Sequence, residues 1–78
     1  MKKIKLNEFV LSSSAQASVE EFRRRLKLAR DLLNNIAEMK EEAFVKEDGS
    51  LLLRFYAFGR ADAWVDFTVQ KGDWGRKN

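Results

Sequence analysis

The stretch EAFVKEDGSLLLRFYAFGRADAWVDFTV, Glu42 to Val69, decides the fold. Asp48-Gly49 interrupts two runs of apolar and aromatic residues. It is a hairpin signal because a two-residue type I′ turn needs positive φ at both central positions, which Asp tolerates and Gly takes freely. That turn pairs Lys46 with Leu51, Val45 with Leu52, Phe44 with Leu53 and Ala43 with Arg54. The second turn, Gly59-Arg60-Ala61-Asp62, leaves its loop length open, so alternation must decide, since a one-residue slip turns every side chain to the other face. A four-residue loop sets Leu53 and Phe55 opposite Thr68 and Asp66, which buries polar groups without reason. A three- or five-residue loop pairs Ala57 with Ala63, Phe55 with Val65, Leu53 with Phe67 and Leu51 with Val69, and one face becomes wholly apolar. The expected structure is a three-stranded antiparallel meander with Phe44, Phe55 and Phe67 in the core.

The opposite face then carries Leu52 with Thr68, Arg54 with Asp66 and Tyr56 with Trp64, with Phe58 near Asp62 and Arg60 in the adjoining turn. Cross-strand pairs of these kinds are worth roughly 0.2 to 1 kcal/mol each, so they also support the register. Tyr, Trp and Arg concentrate binding energy at protein interfaces because they bury large areas with few rotamers and keep a polar handle. The same residue types stack single-stranded bases and neutralise phosphates. Tyr56, Trp64, Arg54, Phe58 and Arg60 are therefore the candidate partner-binding set. The competing expectation is that the N-terminal arm or Trp74 folds over Tyr56 and Trp64 and closes a second small core.

Upstream, Ser18-Val19-Glu20-Glu21 fits a capping box, and Phe22, Leu26, Ala29, Leu33 and Ile36 recur at spacings of four and three. These predict one helix from Ser18 to about Lys40, entered through a loop over Ser12–Ala17 and packed on the apolar face of the meander. Leu28, Leu32 and Met39 fall on its flank, to be covered by Ile4, Leu6 and Phe9 or to form a groove for a second copy, so the chain is expected to be a monomer or a homodimer. Ile4 and Leu6 alternate with lysines, and the run continues through Phe9-Val10-Leu11 as a short strand or arm. The expected fold is α+β, in β-α-β-β-β order, in a single domain over 1–78 with flexible ends at 1–3 and 72–78.

Chemistry is narrowed chiefly by what is missing. The chain has no histidine and no cysteine, which removes the commonest general base, the soft metal ligands and the thiol nucleophile. Glu38, Glu41 and Glu42 cluster near the expected helix end, where a solvated terminus explains them. The glycines fit turns, with no phosphate-binding or dinucleotide fingerprint and no calcium loop. No enzyme activity, cofactor or metal is expected. Met1-Lys2-Lys3 is not followed by a continuous apolar segment, and no membrane-spanning stretch is present, so a cytoplasmic protein with no membrane association is expected.

Net charge is +3 over 78 residues, and the basic residues cluster. Arg23, Arg24, Lys27 and Arg30 project to one side of the helix, ahead of Glu38, Glu41 and Glu42. That order opposes the helix dipole, which favours acids early and bases late. The patch reads as a docking site for phosphates or for an acidic protein surface, or else as a solvated face with local pairs such as Lys27 with Asp31. In its small size, lack of cofactor motifs and two contact surfaces, the chain resembles the accessory proteins of phages and mobile elements, anti-CRISPR inhibitors among them. The resemblance implies a non-enzymatic binding or inhibitory protein that occupies a protein or ribonucleoprotein surface. The alternative is a nucleic-acid-binding domain that uses the basic patch and the aromatic sheet face.

Overall fold

The computed structural model describes residues 1–32, 39–56 and 63–77. Among these the chain runs β1 (Lys2–Ile4), β2 (Phe9–Leu11), α1 (Ser13–Leu32), β3 (Lys40–Val45), β4 (Leu51–Tyr56), β5 (Val65–Val69), a short 3₁₀ turn (Lys71–Asp73) and β6 (Trp74–Arg76). Antiparallel pairing gives a four-stranded sheet in the order β1-β3-β4-β5 and a small two-stranded sheet of β2 with β6. The fold is α+β in the expected order. Helix α1 covers one face of the larger sheet through Val19, Phe22 and Leu26, which meet Ile4, Ala43, Leu51, Leu53, Phe55 and Val69. The Phe22 ring lies 5.4 Å from Phe55 and 5.1 Å from Phe67, tilted against both.

Pairing of β4 with β5 follows the alternation argument, with Leu51 opposite Val69, Leu53 opposite Phe67 and Phe55 opposite Val65. Pairing of β3 with β4 differs by one residue. Val45, not Lys46, stands opposite Leu51, and Ala43, not Phe44, stands opposite Leu53. The cause is loop length. Lys46 N–H donates to Ser50 O and Gly49 N–H to Lys46 O, enclosing three residues rather than two. Gly49 takes the left-handed conformation, φ 88°, as in a type I turn closed by a glycine bulge. Asp48 Oδ1 accepts from the Ser50 amide and from its hydroxyl, which secures the turn. Phe44 is thereby moved from the core, where the type I′ turn would place it, to the outer face.

The helix also begins earlier than its sequence pattern indicates. Ser12, not Ser18, is the cap: its Oγ accepts from Ala15 N–H while its carbonyl accepts from Gln16 N–H. The expected loop over Ser12–Ala17 supplies the first helical turns, and Ala15 and Val19 extend the buried stripe backwards. A tertiary contact fixes this choice, since Asp73 accepts from the Ser12 amide through its carbonyl and from the Ser12 hydroxyl through its carboxylate. At the other end Lys40 is the first residue of β3, opposite Tyr56, rather than the last of a helix. Leu33, Ile36 and Glu38 lie outside the described residues.

Strands form near both ends of the chain. Lys2–Ile4 forms the β1 edge, and the C-terminal segment returns to pair Leu11 with Trp74 and Phe9 with Arg76. Trp74 packs against the core and donates its indole N–H to Gly49 O at 3.0 Å, clasping the β3–β4 hairpin. Ile4 and Phe9 are in the core, but they do not cover the helix flank: Leu28 and Leu32 are exposed. No helix among the described residues is long and apolar enough to cross a membrane.

Candidate functional site

The observed register places Phe44, Leu52 and Thr68 in one cross-strand row of the outer face, Glu42, Arg54 and Asp66 in the next, and Lys40 opposite Tyr56 beyond them. β1 adds Lys3 beside Phe44. Leu52 is buried on this side, apart from the main core. Strand alternation alone produces the array, because the partners of Leu51, Leu53 and Phe55 turn inward and every intervening residue turns out.

Arg54 is the centre of the array. Its guanidinium donates to both Asp66 carboxylate oxygens, Nε to Oδ1 at 2.9 Å and an Nη to Oδ2 at 3.3 Å. Its Cζ lies 4.6 Å from the centroid of the Trp64 ring and 5.3 Å from that of Phe44, within the range of cation–π attraction. Tyr56 meets Trp64 edge-on with ring centroids 6.0 Å apart. Trp64 keeps 44% of its surface exposed, so the described residues leave it accessible although its edges are held. Neither the N-terminal arm nor Trp74 covers it: β1 pairs along the β3 edge, and Trp74 is committed to Gly49.

Beside this aromatic group, Lys3 donates to Glu42 Oε2. The Lys3 ammonium, and after it the Tyr56 hydroxyl, hold the Glu42 carboxyl below its ordinary pKa, while the Glu42 carboxylate pushes the Tyr56 phenol and the Lys3 ammonium up. Lys3 and Arg54 on this face are therefore already matched to carboxylates. Of the expected binding set, Arg54, Tyr56 and Trp64 come together, and Phe58 and Arg60 lie outside the described residues. Phe44, Glu42 and Lys3 belong to the array and were missed. The first two were hidden by the one-residue turn difference, and Lys3 by the absence of any local signal for pairing between β1 and β3.

The basic helix patch is divided by its partners. Arg23 makes a bidentate pair with Glu41, Nε to Oε1 at 2.9 Å and Nη2 to Oε2 at 2.8 Å, so Glu41 belongs to a strand and not to a solvated helix end. Arg30 bonds Asp31 in place of the expected Lys27, and Arg25 bonds Glu21. Arg24 and Lys27 are exposed. Compared with protein-family models, curated proteins and solved structures, the chain has no match.

Proposed function

We propose that the protein is a non-enzymatic binding protein that docks the outer sheet face on a protein or ribonucleoprotein and inhibits it by occupying that surface, in the manner of the small accessory proteins of phages and mobile elements. The observation that carries this reading is the Trp64–Arg54–Tyr56 group: a large, half-exposed indole held by an arginine that is itself locked by a bidentate carboxylate. An aromatic anchor held in place before binding loses little side-chain entropy on docking, which is where interface affinity is usually lost. Pairing of Arg54 with Asp66 and of Lys3 with Glu42 favours a protein surface over a bare phosphate backbone, which would have to compete with each carboxylate.

Affinity capture from host lysate tests the reading. Wild type should retain a specific partner that a Tyr56→Ala/Trp64→Ala variant of unchanged circular dichroism recovers at least about tenfold less well, as expected for loss of a hot-spot pair. Equal recovery by the two would remove the sheet face from consideration. A nucleic-acid reading draws support from Arg24 and Lys27, exposed on α1. It requires binding of single- or double-stranded probes at low salt, with a salt slope that falls in an Arg24→Ala/Lys27→Ala variant.

A further inference from the structure

Strand β5 ends the four-stranded sheet, with β4 on one side and no strand on the other among the described residues. The direction of its free backbone groups follows from the hairpin. Lys46 N–H donates to Ser50 O, so Lys46 and Ser50 are a hydrogen-bonded pair. Alternation along an antiparallel ladder then turns the backbone of Leu52, Arg54 and Tyr56 toward β3, and that of Leu51, Leu53 and Phe55 toward β5. Their partners Val69, Phe67 and Val65 are thereby satisfied. Asp66 and Thr68 direct their N–H and C=O groups away from the sheet, and no backbone bond to them is made from elsewhere among the described residues.

Edge strands of soluble proteins are usually blunted by lysine, proline or a bulge. Val65-Asp66-Phe67-Thr68-Val69 has none of these, and its one charge, Asp66, is neutralised by Arg54. The strand is also complementary to itself. Laid antiparallel against a copy about a two-fold axis through Phe67, it sets Asp66 opposite Thr68 and Thr68 opposite Asp66, as hydrogen-bonded pairs, with a hydroxyl donor facing a carboxylate acceptor on the outer face. Val65 then meets Val69, and Phe67 meets Phe67 as a non-hydrogen-bonded pair, the class with the closer side chains.

Space permits the arrangement. Two adjoining grooves of about 290 and 200 Å³ run between α1 and β5, lined on the helix side by Ser14, Ala15 and Ser18, and further along by Phe22, and on the strand side by Phe67. The helix therefore stands back from the edge. Four strands at about 4.8 Å spacing make a sheet wider than one helix of about 10 Å, so two helices sit over a joined sheet without collision.

We infer that β5 is a self-association edge: two copies pair through Asp66–Thr68 and join their sheets into one, with both Trp64 groups on the same outer face. Because the two-fold lies perpendicular to the sheet, a partner of the outer face would meet two copies of the Trp64–Arg54 group on one surface, the Trp64 positions roughly 20 Å apart along the strand direction. The edge pairing itself does not depend on the proposed docking function, and a Trp64→Ala variant should dimerise as wild type does.

Sedimentation equilibrium and amide hydrogen exchange on the full chain decide the matter. Wild type at high micromolar concentration should sediment at twice the 9.1 kDa chain mass, and the Asp66 and Thr68 amides should gain protection as concentration rises. Thr68→Pro deletes an outward N–H and no internal ladder bond, a change edge strands accept. It should leave the circular dichroism spectrum intact and weaken dimerisation at least about tenfold. A monomer whose Asp66 and Thr68 amides stay unprotected at every concentration overturns the inference. So does a dimer that Thr68→Pro leaves untouched, which would direct attention to Leu28 and Leu32, and so does protection of these amides only when a foreign chain is added.

Discussion

Replacing Gly49 with alanine tests the residue on which the whole outer face depends. Gly49 holds φ at 88°, where an L-residue is disfavoured by roughly 1–2 kcal/mol. Restricting the unfolded chain returns roughly 0.4–1 kcal/mol of that. An added Cβ would stand 3.0 Å from Lys71 Cδ, but the lysine chain is exposed and can swing aside, so contact adds little. The expected net loss is about 1 kcal/mol, equivalent to about 4–8 °C in Tm for a domain of this size. Thermal and urea unfolding followed by far-UV circular dichroism measure it. A chain of 78 residues is accessible to chemical synthesis, which allows a stereochemical control. D-alanine at position 49 finds the same φ ordinary and should be neutral or stabilising by roughly 0.4–1 kcal/mol. If L-alanine proved as stable as glycine, or if D-alanine were as harmful as L-alanine, the glycine-bulge turn and the register built on it would be refuted.

Other outcomes follow from the same geometry. Phe55, fully buried, should cost about 3–5 kcal/mol on truncation to alanine and leave little native population in so small a domain, whereas Phe44→Ala, on the outer face, should cost under about 2 kcal/mol in the same denaturation assay. Asp73→Ala should lose about 1 kcal/mol by releasing the Ser12 hydroxyl, and a Ser12→Ala/Asp73→Ala double variant should lose less than the sum of the single changes, since both remove one linkage between α1 and the C-terminal segment. Glu42 has a lowered folded pKa, so its stabilising effect is complete above the ordinary carboxylate value and is lost as pH falls through the folded one; Tyr56 has a raised pKa, so its effect is present below the ordinary phenol value and is lost as pH rises through the folded one. Carboxyl-carbon NMR titration should show the Glu42 midpoint move upward in a Lys3→Ala variant, and an unmoved midpoint would remove Lys3 as its principal cause.

The β4–β5 ladder was legible because alternation had only one solution there: any other parity would put Asp66 and Thr68 into the core. The β3–β4 ladder was read from the turn signal and not from alternation. A two-residue turn faces Lys46 and Glu42 inward with Phe44, whereas the observed register faces only Glu41 inward, with Ala43 and Val45, so the same polarity test applied to β3 would have put Phe44 on the outer face. Arg54, Tyr56 and Trp64 were legible as a group because they sit on the strand pair whose parity was decided. The basic patch was legible as a cluster, but not its division, because Arg23 meets Glu41 only after β3 docks under the helix.

The sequence by itself determined the α+β class, the place of Phe22 and Leu26 on the apolar stripe of α1 and the pairing of β4 with β5, since these rest on periodicity and on the cost of burying a charge, both local to the chain. Tertiary structure alone decided where the helix begins and whether the outer face stays open. The local signal at Ser18 gave way to Ser12, which Asp73, distant in sequence, holds by two hydrogen bonds, and Trp74 reaches back to the carbonyl of Gly49. These partners lie far along the chain, so no local pattern contains them.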